Sequence, residues 1–272
     1  MDTLDRRLAR PGAVIAFADG GGDGRPVLLV HGAGMDHTMF DAQAEALTAA
    51  GLRVLRSDLR GHGASALDEG VRFSAREALG DITALLAECR IARAVIVGHS
   101  LGGNLAQAYA AAQPARVSGV VVMDASWNAG PLSHAERFAL RLAAPTLALV
   151  PSRRLPGIMA RASAVTAGAI ARTEEMFART PKSVFLDVWR ATASLIAPEP
   201  GYRSPVPLGL IRGAEDRTGN IAAAMPRWAE AEGVDERVVP DAGHILTWDA
   251  PDETSTALLE ILAEESFVTA MR

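Results

Sequence analysis

Runs of consecutive apolar residues punctuate the chain at AVIAF (13–17), PVLLV (26–30), RVLRS (53–57), RAVIV (93–97), GVVVM (119–123), PLGLI (207–211) and ERVVP (236–240). Several are apolar at every position and do not alternate, the pattern of strands buried on both faces of a parallel sheet. A weaker candidate strand lies near residues 3–8. Between these runs, apolar residues recur at helical spacing over 40–50, 74–89, 101–112, 221–232 and 252–263. Strand–helix alternation of this kind predicts an α/β fold, a mostly parallel central sheet flanked by helices.

One interval breaks the rhythm. More than eighty residues separate GVVVM from PLGLI, too many for an ordinary crossover. The periodicity there predicts helices over 133–144, 155–171 and 182–196, with Pro145, Pro151, Pro156 and Pro181 as breaks. We read a helical cap inserted after the sixth strand, counting the weak N-terminal one. That divides the chain into 1–126 and 203–272 as core and 127–202 as cap. The alternative is a longer run of ordinary core helices.

Candidate chemistry concentrates in RAVIVGHSLGGNLAQAYA, where a buried strand runs through Gly98-His99-Ser100-Leu101-Gly102 straight into a helix. In that strand–turn–helix setting a G-x-S-x-G pentapeptide lifts the serine hydroxyl above the strand end. Side chains at the glycine positions would clash in so tight a turn. The helix starting at Leu101 aims its free N–H groups at the reacting centre. A second strand ends at His31-Gly32-Ala33-Gly34. Acyl transfer passes through an oxyanion that needs fixed donors, and the N–H groups of Ala33 and Leu101 are the candidates. The bland alternative for 31–34 is a plain glycine turn.

These stretches, VHGAG (30–34), SDLRGHGAS (57–65), VGHSLGG (97–103) and DAGHILTWDAP (241–251), occur in the order seen in the α/β-hydrolase superfamily. The chain resembles its cap-bearing, esterase-like serine hydrolases, with IRGAED (211–216) matching more loosely. The resemblance covers the sheet portion and leaves the cap unmatched. It implies the α/β-hydrolase fold and a serine–acid–histidine triad. Ser100 is then the nucleophile, and His244, in the short loop after ERVVP, the general base. Asp216, after PLGLI, takes the usual acid position. Asp124, after GVVVM, is the alternative, because some relatives place the acid there. Serine at 100 sets the chain apart from the dehalogenase and epoxide hydrolase branches, which carry aspartate. His31 and His62 read as structural, His99 as pointing away from the nucleophile, and 58–65 as a brace for the loops.

Candidate substrate-contacting residues are Gly34, Met35, Trp127, Ile245 and Trp248, with Phe138, Met159, Met176 and Trp189 as further apolar candidates on the cap helices. The expected activity is hydrolysis of a carboxylic ester, thioester or lactone of moderate, apolar character. The same triad also serves carbon–carbon bond hydrolysis, acyl transfer and perhydrolysis, and a non-catalytic ligand-binding module is a third possibility.

Composition adds constraints and no further chemistry. A net charge of −5 with interspersed signs gives no nucleic-acid footprint. No apolar run reaches the ~20 residues of a bilayer span, and the first residues lack a signal-peptide core, so no membrane partner is expected. The single cysteine, Cys89, cannot form an internal disulfide, which fits a cytoplasmic location. No metal-ligand spacing, P-loop or dinucleotide fingerprint is present, so no metal or cofactor is implied. The expected partner is a small-molecule substrate, and the sequence is silent on oligomeric state.

Overall fold

The computed structural model describes residues 4–271. Its sheet contains β1 (Arg6–Arg10), β2 (Ala13–Asp19), β3 (Pro26–Val30), β4 (Arg53–Ser57), β5 (Ala66–Leu67), β6 (Ala94–His99), β7 (Val117–Met123), β8 (Leu208–Gly213) and β9 (Glu236–Val239). They lie in the order β1-β2-β4-β3-β6-β7-β8-β9, with β5 beside β2. Strands β4 through β9 along that path pair in parallel, and β1 and β2 run antiparallel at one edge. The weak N-terminal strand is therefore real but shifted to Arg6–Arg10, and Thr3 lies outside the described residues.

Alternate residues of the central strands feed two cores. Leu28, Ile96, Val120 and Leu210 face one layer, formed with α2 (Ala75–Glu88), α3 (Leu101–Ala112) and α8 (Ile221–Glu232). Leu29, Val97, Val121 and Ile211 face the other, with α1 (Asp41–Ala49), α10 (Pro251–Ala263) and α11 (Glu265–Ala270). Burial on both faces is why these strands read as unbroken apolar runs. The chain passes from β3 to one neighbour, β4, and only later to the other, β6. Loops leaving β3 and β6 diverge at this reversal of strand order, the position where open α/β sheets bind ligands.

Four helices occupy the interval between β7 and β8: α4 (His134–Leu149), α5 (Leu155–Ser163), α6 (Ala167–Arg179) and α7 (Lys182–Leu195). The interval follows the seventh strand and not the sixth, because the two-residue β5 adds one to the count. Two expected boundaries also change. Helix α4 continues through Pro145 to Leu149, so that proline does not end it. The single helix expected over 155–171 is two. The Thr166 hydroxyl caps α6 by accepting from Ala169 N, and the Asp249 carboxylate takes the N–H groups of Val165 and Thr166. Asp249, contributed by the short helix α9 (Leu246–Asp249), is distant in sequence, so its effect on this boundary was not readable locally.

The loop after β4 is held from below. Arg60 is fully buried and donates from Nε and Nη2 to Asp81 on α2, both at 2.7 Å, while Arg10 donates to the same carboxylate at 2.9 Å. Removing one partner of a buried pair strands the other charge. Asp81→Ala is therefore expected to cost about 3–5 kcal/mol in urea unfolding, and a loss under about 1 kcal/mol would show that Arg60 finds other support.

Candidate active site

Ser100 sits between β6 and α3 with φ 51° and ψ −117°, in the left-handed half of backbone space that serine rarely visits. Two glycines make the bend feasible. A Cβ on Gly98 would lie 2.2 Å from the Gly102 carbonyl oxygen, and one on Gly102 would lie 2.0 Å from that of Val30. The Ser100 N–H donates to Met123 O at 2.9 Å, pinning the bend to β7. The hydroxyl stands at the N-terminus of α3, partly accessible.

The loop after β9 brings an imidazole to this hydroxyl. His244 Nε2 lies 3.0 Å from Ser100 Oγ, and its Nδ1 lies 3.0 Å from Asp216 Oδ2. With Asp216 accepting from Nδ1–H, Nε2 carries the lone pair that faces the serine. Asp216 also accepts from Thr218 N at 2.7 Å. Burial works against the Asp216 charge, but His244 and the Thr218 N–H outweigh it and hold the carboxyl down at about 2. The acid and histidine loops are locked together: Glu215 N donates to Ala242 O, and a Cβ on Gly213 would meet Gly243 O at 2.2 Å. The Glu215 side chain turns outward to Arg217.

On the other side of Ser100 lies the loop after β3. His31 accepts the Leu59 N–H at Nε2 and donates from Nδ1 to Gly32 O, both at 2.8 Å, which fixes its tautomer. Asp58 accepts from His37 N, His37 Nδ1 and Ala64 N, so the 58–65 stretch does brace this loop. Gly34 has φ +72°, and a Cβ there would lie 2.3 Å from the Phe177 ring of α6. Leu101 is the first residue of α3 after the bend, and a Cβ on Gly32, next to Ala33, would lie 3.3 Å from Ser100 Cβ.

His99 does more than point away. Its Nε2–H donates to the His244 carbonyl at 2.6 Å, and its Nδ1 lies where a Cβ on Gly32 would be 2.6 Å away. One ring therefore touches both the histidine loop and the loop carrying Ala33. Burial, reinforced by His244, pushes its imidazolium down to about 3, so the ring stays neutral, and its buried Nδ1 has no partner among the described residues. Nothing local in G-H-S-L-G announced that contact. Asp124 is fully buried at φ 42° and accepts from Gly213 N at 3.0 Å. Burial and the nearby Asp216 charge hold its carboxyl well above the usual range. The geometry thus gives the His244 bond to Asp216, while Asp124 is bonded to Gly213 N.

A sequence profile described as the alpha/beta hydrolase family matches residues 27–257. The chain belongs to the alpha/beta hydrolase family. Among curated relatives, non-heme bromoperoxidase BpoC of Mycobacterium tuberculosis, named as such without an established activity, is 30% identical over 90% of this chain and 96% of its own. The sn-1-specific diacylglycerol lipase ABHD11 of Danio rerio is 35% identical, but over 40% of this chain and 34% of that protein. The alignments thus span between a third and a half of the first such relatives. Among solved structures, a thermophilic esterase from Thermogutta terrifontis superposes with TM-score 0.75 at 25% identity, covering 94% of this chain and 98% of that one.

The remaining candidates in this member of the alpha/beta hydrolase family fall in different places. Met35 and Ile245 are buried in the core layer that also holds Phe177, Phe185 and Met176, and Met159 and Trp189 pack against it. Trp248 lies under the Arg172 guanidinium, 4.1 Å from its ring centre, and donates to Thr38 O. Trp127 instead stacks on Trp228 of α8 at 5.9 Å, in the opposite core layer. Phe138 is 64% exposed on α4. The sequence reading passed over Phe177 and Phe185, whose rings meet edge to face at 5.6 Å against Gly34. They lie on separate helices, so no spacing rule pairs them.

Two groups bring possible metal-ligating atoms within 4.8 Å of one another: His99, Asp124 and His244, and Asp36, His37 and Asp58. Both are threaded by internal hydrogen bonds. His99 Nε2 is given to a carbonyl, Asp124 takes Gly213 N, Asp58 takes His37, and Asp36 takes Thr38.

The two aspartates respond to pH with opposite signs. Asp216, depressed from 3.8 to about 2, adds roughly 2 kcal/mol of stability. That contribution is present above about pH 4 and is lost as pH falls toward 2. Asp124, raised from 3.8, favours the fold at acid pH and loses that contribution as pH rises through its folded value. Urea unfolding should therefore show Asp124→Asn gaining on the wild type between acid and neutral pH, and Asp216→Asn losing. Trends in the same direction for both variants would refute these charge states.

Proposed function

We propose that the protein hydrolyses carboxylic esters, including thioesters and lactones, of apolar character through an acyl-enzyme on Ser100. The observation that carries this reading is the continuous pair of contacts Ser100–His244–Asp216, 3.0 Å at each step. A hydroxyl is a weak nucleophile until a base takes its proton. Here Nε2 takes the Ser100 proton as Oγ attacks the carbonyl carbon, and Asp216 stabilises the imidazolium that results. The oxyanion is received by the N–H groups of Ala33 and Leu101. As the ester C–O bond breaks, His244 returns the proton to the leaving alkoxide. Water then gives a proton to the same nitrogen and attacks the acyl carbon; the acyl C–Oγ bond breaks, His244 returns that proton to Ser100 Oγ, and the free acid leaves.

In this reading 127–202 acts as the cap over the site, with Phe177, Phe185 and Trp189 as its apolar contribution near Gly34. Gly34, Met35, Ile245 and Trp248 complete the acyl surroundings, and the stacked Trp127 serves the cap's attachment. The breadth of the relatives, a lipase, a protein named as a bromoperoxidase and an esterase, supports an acyl-handling site and leaves the acceptor open. Hydrogen peroxide in place of water would give a peracid from the same acyl-enzyme.

A fluorophosphonate probe should label the wild type and not Ser100→Ala. On p-nitrophenyl esters, Asp216→Asn should lower kcat about ten-thousandfold, by analogy with the serine protease triad, and Asp124→Asn by less than about tenfold. The reverse ranking would move the acid to Asp124. Failure of the probe to label any serine would remove the acyl-enzyme altogether.

A further inference from the structure

Exposed large apolar side chains concentrate in one stretch of the chain. Among the described residues, Phe138, Leu142, Leu149, Ile158 and Val165 all fall within 138–165, and three others are scattered over the rest of the chain. On α4 the spacing of Phe138, Leu142, Pro145 and Leu149 places them on one stripe of the helix. Phe138 is 64% and Leu149 85% exposed, and Ala144 on another face is the only buried residue of this helix. The stripe faces water, not a core.

The charge around it is opposite to that of the protein. The whole chain carries −5, yet residues 133–165 hold five arginines and a single acid, Glu136. Glu136 is occupied by Ser133 N and Asn220. Arg137 and Arg141 flank the stripe, and Arg153 and Arg154 are exposed in the turn that follows Leu149. Arg141, Arg153 and Arg154 have no carboxylate partner among the described residues. An exposed Phe/Leu stripe edged by arginine is the composition of a helix that lies in a lipid headgroup layer.

We propose that α4 and the 151–154 turn form a docking surface for membranes bearing anionic headgroups. A second copy of this chain fits less well, because a two-fold contact through this patch sets arginine against arginine. No described helix is long and apolar enough to cross a membrane. Surface docking makes no such demand, and it revises the expectation of no membrane partner. Beside the basic turn lies a cavity of ≈ 180 Å³ lined by Leu155, Pro156, Met159, Phe177, Lys182 and Phe185. The Phe177 and Phe185 rings that line it also lie against Gly34, in the loop whose Gly32 approaches Ser100. An apolar ester leaving the bilayer at α4 meets that cavity first. This delivery route rests on the proposed ester hydrolysis, whereas the docking does not.

The test is co-sedimentation with vesicles of phosphatidylcholine alone and of phosphatidylcholine mixed equally with phosphatidylglycerol. Binding is expected on the mixed vesicles only and should weaken as salt is raised. The combined variants Phe138→Ser/Leu142→Ser/Leu149→Ser and Arg141→Glu/Arg153→Glu/Arg154→Glu should each lower bound protein by at least about tenfold. Both should keep the turnover of a soluble short-chain ester within about twofold, since these side chains face outward. No binding to the mixed vesicles, or binding by either variant undiminished from the wild type, overturns the proposal. So does a lipid-free dimer in ultracentrifugation that the serine variant dissolves. Sedimentation requires no turnover, so loss of the ester-hydrolase reading would leave this result interpretable.

Discussion

The backward bend at Ser100 is the constraint on which the rest of the site depends. A serine at φ 51° costs on the order of 1–3 kcal/mol and survives only where its surroundings hold it. Here they do so from several directions. Gly98 and Gly102 let the strand, the helix and the end of β3 approach to contact distance, and Met123 O accepts the Ser100 N–H. Relaxing the bend would withdraw the hydroxyl from His244 and shift the first turn of α3, whose Leu101 N–H is a proposed oxyanion donor.

Around that bend, rigidity comes from neutral and charged groups used in different ways. His99 and His31 are buried imidazoles that serve as hydrogen-bonding struts: one holds the His244 carbonyl, the other joins Gly32 to Leu59. Burial lowers the proton affinity of both, which keeps positive charge away from His244. The negative charge the proposed mechanism needs is confined to Asp216, because its buried neighbour Asp124 resists ionisation. Two carboxyls at neighbouring strand ends thus differ in charge state through environment alone.

The parts legible in the sequence are those whose cause is local. A buried strand is apolar whatever lies around it, so β3, β6 and β7 could be read directly. The Ser100 bend could be read because only glycine tolerates the approach at 98 and 102. The parts missed depend on partners far away in the chain. Asp249 divides α5 from α6 from more than eighty positions downstream. Phe177 and Phe185 meet Gly34 from different helices, and Trp127 finds Trp228 across the insertion. Phe138 misled because an apolar residue at helical spacing predicts burial, and α4 turns that face to solvent. Tertiary placement, not periodicity, decides which apolar face is covered.

The central claim is that the Ser100 oxygen becomes the acyl carrier. Rapid acid quench during turnover of a short-chain p-nitrophenyl ester, followed by trypsin digestion and mass measurement, tests it directly. Cleavage after Arg93 and Arg116 yields a peptide in which Ser100 is the only serine. The account predicts one added acyl mass on that peptide, accumulating before steady state and absent in Ser100→Ala. Turnover with that peptide unmodified, or acyl mass persisting in the alanine variant, would contradict it.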